Sequence, residues 1–250
     1  MDAVTSAKRT LVIANRILAH YDVLDAYGHV SVRHPHDPSR YLLSRSLSPA
    51  SVTEDDIIEF HLDGRPVDAD EKRPLYLERF IHGGVFENRP EVNSVLHSHA
   101  EDVLPFSITK QPMLPVIHTA GNMGGTVPVW DIADKFGSHT NLLVSNMEQG
   151  RDLARCLDCN RIALMRTHGF VSTGVSIPDL VRLAVYIPRN ARVQMAAMRM
   201  CSPGTGTADI RVLSPGEIEA RVSLDPDTPA MRRGWDYWAR EVGCEHLLGE

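Results

Sequence analysis

Arg89-Pro90-Glu91-Val92-Asn93-Ser94-Val95-Leu96-His97-Ser98-His99 sets two histidines one residue apart at the end of an apolar run. The composition predicts a strand over Glu91–His97, with Val92, Val95 and Leu96 supplying apolar bulk. Side chains two apart on a strand point to the same side. His97 and His99 can therefore reach one ion while Ser98 points away. Taken alone, such a pair also fits two satisfied or exposed histidines at a strand end. A third histidine strengthens the metal reading: His168 follows the apolar strand Ile162–Met165 and precedes Gly169, at a strand end where α/β sheets place sites. Three imidazoles with no thiolate suit a divalent ion such as zinc, manganese, iron or cobalt, and leave positions open for water or substrate.

Upstream of this stretch, Leu77, Ile81 and Val85 repeat every four residues and predict a helix over Leu75–Glu87, after Pro74. Glu78 shares its apolar face. A carboxylate there is costly to bury unless it is paired or its pKa rises, and a raised pKa suits a proton-transfer group near neutral pH. A surface Glu78 paired with His82 or Arg79 is the alternative. Farther upstream, Ser6–Tyr21 reads as an amphipathic helix. His29–Arg33, Tyr41–Leu43 and Ile57–Leu62 read as strands, the last closed by the Asp63-Gly64 turn.

Downstream, Met113–Ile117 and Leu142–Ser145 read as extended. Ser145-x-x-Glu148 reads as a capping box for a helix to about Leu157. Phe170–Thr173 is a strand. Ser176 caps a long helix, Pro178–Met200, which Pro188 should kink or split. Ser214-Pro215-x-Glu217 opens another helix, and Met231–Glu241 carries Trp235 and Trp238. We expect one α/β domain over 1–200 and a helical tail over 201–250, packed on that domain or on a neighbouring subunit. Ser202-Pro203-Gly204-Thr205-Gly206-Thr207 is the linker-like stretch between them.

The 250 residues are 43% hydrophobic, enough for a sizeable core. Lys plus Arg total 26 against 32 Asp plus Glu, a net charge of −6 that offers no broad basic face for nucleic acid. No apolar run approaches the ~18 residues of a membrane span. The first residues lack the apolar core of a secretory signal, and Cys156, Cys159, Cys201 and Cys244 read as reduced thiols, so a cytoplasmic location is expected. Gly121-Asn122-Met123-Gly124-Gly125 lacks the context of a phosphate loop.

Three groups of landmarks together resemble the class II aldolase/adducin-domain family over roughly Ala7–Arg199. The first is Gly28-His29-Val30-Ser31. The second is Leu75-Tyr76-Leu77-Glu78 leading into Arg89–His99. The third is His168-Gly169 with Asn190-Ala191-Arg192. The resemblance implies a three-layer α/β/α fold with a central, mostly antiparallel sheet, and usually a ring-shaped homotetramer. It implies one divalent metal ion on His97, His99 and His168, with Glu78 as acid/base group. Sites in this family lie at subunit boundaries, and His118 falls where a neighbour's helping group is expected.

The departures point to a substrate class. Sugar-phosphate aldolases resembling this chain carry G-N-x-S at the first landmark and small hydroxyl or glycine residues as a phosphate cradle. Here His29, Arg45 and Tyr76-Leu77 stand in those places. Arg suits a carboxylate, and Tyr and Leu suit a ring. The set looks most like the decarboxylase branch acting on hydroxylated aromatic or pyridine dicarboxylates, with His29, Arg45 and Tyr76 on the substrate. Decarboxylation leaves electrons on carbon, and a metal on an adjacent oxygen stabilises the resulting enolate-like charge. The alternatives are an aldolase for a non-standard carbonyl substrate, an iron-dependent aryl-pyruvate oxygenase, and a non-catalytic adducin-like interaction module.

Overall fold

Alternation of side chains along short strands lets one sheet carry two cores in this chain. The computed structural model describes residues 2–201, 209–225 and 228–248, so the linker-like stretch at 202–207 lies outside the described residues. Among the described residues the strands are β1 (His29–Arg33), β2 (Arg40–Ser44), β3 (Ile57–His61), β4 (Ser94–Ser98), β5 (Val129–Trp130), β6 (Ile162–Met165) and β7 (Gly169–Gly174). They form a single sheet in the order β3-β2-β1-β4-β7-β6-β5. Every pairing is antiparallel except the parallel β5–β6 contact. The expected three-layer α/β/α fold with a mostly antiparallel sheet is the one observed.

Among the described residues the helices are α1 (Ala3–His20), α2 (Arg79–Asn88), α3 (Leu104–Ile108), α4 (Ile132–Phe136), α5 (Met147–Leu157), α6 (Ile177–Met200), α7 (Pro215–Val222) and α8 (Pro229–Glu241). On one face of the sheet, Val30, Leu42, Leu96 and Phe170 share a core with Leu11 and Leu18 of α1, Leu180 and Ala184 of α6, and Trp235 and Trp238 of α8. On the other face, Tyr41, Leu43, Val95 and Val171 pack with Ile81 and Val85 of α2 and Leu153 and Leu157 of α5. Each fully buried Leu or Phe contributes roughly 1.5–3 kcal/mol. The second face matters for the site, because α2 delivers Glu78 to it. Glycine lets α2 and α5 come close: a Cβ on Gly84 would sit 2.4 Å from the Gly150 carbonyl carbon.

Several local expectations shift. α2 begins at Arg79, with Glu78 as its N-cap residue, so Leu75–Leu77 stays outside the helix. The Tyr76 hydroxyl is tied to the backbone of Leu47, donating to its carbonyl and accepting from its N–H, and this tertiary tie overrides the four-residue period. The cap of α5 is Asn146, which accepts from Gln149 N, while Gln149 Oε1 accepts from Ser145 N. The expected box is thus displaced by one residue. Met113–Ile117 joins no strand; Asn190 and Gln194 of α6 take its backbone groups instead. Pro188 leaves α6 unbroken, because buried Leu183, Ala184, Ile187 and Ala191 hold the helix against the core across the missing hydrogen bond. Among the described residues no helix is long and apolar enough to cross a membrane.

Candidate metal centre and its cavity

His97 has the same strand parity as Val95, so it faces the α2 side of the sheet, and it is fully buried. His99 lies just past the end of β4. His168 sits in the turn between β6 and β7. Gly169 makes that meeting possible, since a Cβ there would lie 1.9 Å from the Ser98 carbonyl oxygen. The three Nε2 atoms converge: His97 to His99 is 3.0 Å, and His168 to His99 is 3.2 Å. Glu78, at the start of α2, brings Oε2 to 3.3 Å from His97 Nε2 and 3.5 Å from His168 Nε2. The four donor atoms all lie within 4.8 Å of one another.

The outer contacts set which nitrogen faces inward. His99 Nδ1 lies 3.1 and 3.2 Å from the two carboxylate oxygens of Asp25. His97 Nδ1 lies 3.2 Å from the Phe170 carbonyl. A proton held at Nδ1 by such an acceptor leaves the Nε2 lone pair free for an ion. Asp25 is itself fixed by the N–H groups of Tyr27 and Gly28, each at 2.8 Å. Against burial, these bonds and His99 hold its carboxyl below the usual range. Burial and the neighbouring His97 push His99 down and His168 down to about 4, so the His99 and His168 rings are neutral at neutral pH. Imidazole lone pairs and a carboxylate clustered this way fit a divalent metal.

Glu78 corrects an expectation. Burial does push its carboxyl up, but His97, His168 and the Val144 N–H outweigh it and bring it to about 2. Val144 N donates to Oε1 at 3.0 Å. Glu78 therefore rests as a carboxylate.

A second histidine chain lies behind the site. His29 and Ser31 share one face of β1, and α2 places His82 over both. Ser31 Oγ is 2.6 Å from His82 Nδ1, and His82 Nε2 is 2.6 Å from His29 Nδ1. All three are buried. The Ser31 hydroxyl has no other hydrogen-bond partner among the described residues, so it donates to His82 rather than leaving a buried O–H unmet. His82 then donates to His29, which presents Nε2–H on its free side. Burial is the leading reason His82 is lowered to about 3 and His29 well below its ordinary range.

Neutral buried histidines have a measurable consequence. The unfolded chain takes up protons below about pH 6.5, whereas folded His82 does not until about pH 3. Stability therefore falls as pH drops through this window, by up to about 1.4 kcal/mol per pH unit for such a histidine. Denaturant unfolding of metal-free protein at pH 7.5 and 5.0 should show this loss, and His82→Asn should reduce it. Equal stability at the two pH values would contradict the neutral buried chain.

A cavity of about 370 Å³ opens beside the cluster. His29, Tyr76, Leu77 and Leu143 line it together with Glu78, His99 and His168. The His29 and Tyr76 rings are 4.5 Å apart. Of the residues expected to touch substrate, the structure brings His29 and Tyr76 to the cavity and leaves Arg45 out. Arg45 Nε is 2.6 Å from Asp56 Oδ1, and Arg45 N bonds the Asp56 carbonyl. Asp56, fixed in its capping box with Thr53, is the carboxylate that Arg45 pairs with. His118 also stands outside this cluster. It is exposed in the 3₁₀ turn His118–Met123 and lines a different cavity. Sequence reasoning missed Asp25, Ser31 and Val144, and considered His82 as a surface partner only. The three-residue spacing of Asp25 and Gly28 was a usable turn signal, as was the one-turn spacing of Glu78 and His82.

The sheet, the helical layers and the histidine–glutamate cluster define a known class. The chain belongs to the class II aldolase and adducin N-terminal domain family, whose profile spans residues 9–195. It is 36% identical over 249 residues to decarboxylase tropJ of Talaromyces stipitatus, covering 94% of this chain and 93% of that protein. It is 25% identical to 3,4-dihydroxyphthalate decarboxylase of Arthrobacter keyseri, over 82% of each chain. An aldolase II superfamily protein from Pseudomonas syringae shares the fold with a TM-score of 0.79 at 20% identity, over 99% of this chain and 97% of the other.

Proposed function

We propose that this enzyme is a divalent-metal-dependent carbon–carbon lyase that decarboxylates a hydroxylated aromatic or pyridine dicarboxylate. The observation that carries the reading is the meeting of His97, His99, His168 and Glu78 beside a cavity walled by His29, Tyr76 and Leu77. The similarity to two proteins named as decarboxylases supports it. His97, His99 and His168 would hold the ion, which is manganese, zinc, iron or cobalt. When bound, it supplies Lewis-acid stabilisation of negative charge on the substrate oxygens.

The chain's own groups supply the rest. Tyr76 and Leu77 set the plane of the ring. His29 donates Nε2–H to a substrate oxygen, its orientation fixed by His82 and Ser31. Glu78, resting as a carboxylate, takes the proton of the ring hydroxyl and returns it to the ring carbon bearing the departing carboxylate. Carbon dioxide leaves and the ring regains aromaticity as the phenolate, which takes a proton from solvent. The working form we propose is a homotetramer in which His118, outside its own chain's cluster, serves a neighbour's. All four cysteines are free thiols, the state that a reducing cytoplasm maintains.

The test is a screen of hydroxylated aromatic and pyridine dicarboxylates for carbon dioxide release, with metal analysis of protein purified without chelator. Activity should persist without dioxygen and with manganese or cobalt in place of iron. Strict dependence on dioxygen, with oxygen incorporated into product, would select the oxygenase instead. Retro-aldol cleavage of a carbonyl substrate without carbon dioxide release would select the aldolase.

A further inference from the structure

The cavity beside Glu78 is lined by no arginine or lysine. A second cavity, of about 640 Å³, is lined by four arginines. Arg182 and Arg189 come from α6, Arg221 from α7 and Arg233 from α8, with Tyr186 and His118 beside them. The two cavities share no lining residue.

The charges here are poorly compensated. Arg182 lies 3.6 Å from Asp179, whose other oxygen is held by Arg161. Arg189, Arg221 and Arg233 have no ion pair within 4.0 Å among the described residues. Glu241 is the other acid at the edge, and it is bonded to Tyr21 and Tyr237. The lining itself carries four arginines and no Asp or Glu. The Nε atoms of Arg182 and Arg221 are buried without a hydrogen-bond partner among the described residues, so the protein does not compensate these guanidinium groups there. Arg189 is already stacked between two rings, 5.1 Å from Tyr21 and 5.2 Å from Tyr186, which fixes its guanidinium plane. A concave site of this volume suits a small molecule, and the chain's overall charge of −6 argues against nucleic acid.

We infer that this arginine cavity binds a small organic polyanion, a flat di- or tricarboxylate whose ring lies against the tyrosines while its carboxylates pair with the guanidinium groups. The inference does not depend on the reaction proposed above. Such a ligand has two sources: a separate effector, or a substrate shared with the metal centre of a neighbouring copy.

Calorimetric titration of the metal-loaded protein with benzene-1,3,5-tricarboxylate, and with benzoate as the monocarboxylate, tests it. The tricarboxylate should bind at least tenfold more tightly than benzoate and weaken with salt. Arg221→Gln with Arg233→Gln should weaken it by tenfold or more, the loss expected for charge-assisted contacts. Arg233→Glu alone, on the exposed rim, reverses one charge without touching the core and should do the same. His97→Ala separates the sources. Tricarboxylate binding that survives His97→Ala and fails in the arginine variants marks an independent effector site. Loss in both marks a ligand spanning the arginine cavity and a metal centre. Wild-type affinity in the arginine variants, or equal binding of benzoate, would overturn the inference.

Discussion

His97→Ala will leave the purified protein without most of its divalent ion and with turnover reduced by roughly 10³-fold. His97 is the fully buried member of the cluster, and its Nε2 lies within 3.3 Å of both His99 Nε2 and Glu78 Oε2. Removing it takes away one of the three imidazole nitrogens proposed to hold the ion and the main partner of Glu78. Loss of Lewis-acid stabilisation removes several kcal/mol from the transition state, which is the origin of the expected factor. Circular dichroism should be unchanged, because the core residues of β4, Val95 and Leu96, are untouched. Full metal occupancy in the variant would sink the ligand assignment.

Glu78→Gln should keep the ion and the fold and lose turnover by ~10²-fold or more. The amide oxygen can still accept from Val144 N, so the start of α2 keeps its place. What disappears is the group proposed to take and return a proton. Because the wild-type carboxyl sits at about 2, the free enzyme's pH–rate profile should show no acidic limb from Glu78 between pH 4 and 6. A limb there that vanishes in Glu78→Gln would contradict the carboxylate resting state. Near-normal turnover in the variant would transfer the proton role to His29 or His118.

Some of this was readable from residues alone, for a physical reason. β1 and β6 are set by short local patterns and coincide with their expected bounds. Ser176 accepts from Asp179 N at the head of α6 and caps it as expected, because a cap needs information from three residues only. The H-x-H pair and His168 meet because β4 and β7 are neighbours. What stayed hidden depends on distant partners. α2 starts late because Tyr76 is bound to Leu47, 29 residues earlier. Glu78 was placed among apolar residues and expected to titrate high, yet its neighbours turned out to be His97 and His168, from two other elements. Arg45 was a plausible carboxylate grip until Asp56 occupied it. Asp25 and His82 carry only weak spacing signals, the turn to Gly28 and the helical turn from Glu78, because a single acid in a turn and a single histidine in a helix are common.

The contact between α1 and α8 bears on how the chain matures during synthesis. Tyr21, just past the end of α1, bonds to Glu241 across 220 positions of sequence, and its ring packs 5.7 Å from that of Trp238. The apolar stripe of the first helix thus keeps an uncovered portion until nearly all of this chain has left the ribosome. Contacts so far apart in sequence form late and slow folding, and an exposed apolar stripe in the waiting intermediate favours aggregation or chaperone capture. Trimming α8 would leave Trp238's place beside Tyr21 open, so shortened forms should partition toward insoluble material even though every residue of the histidine cluster is present.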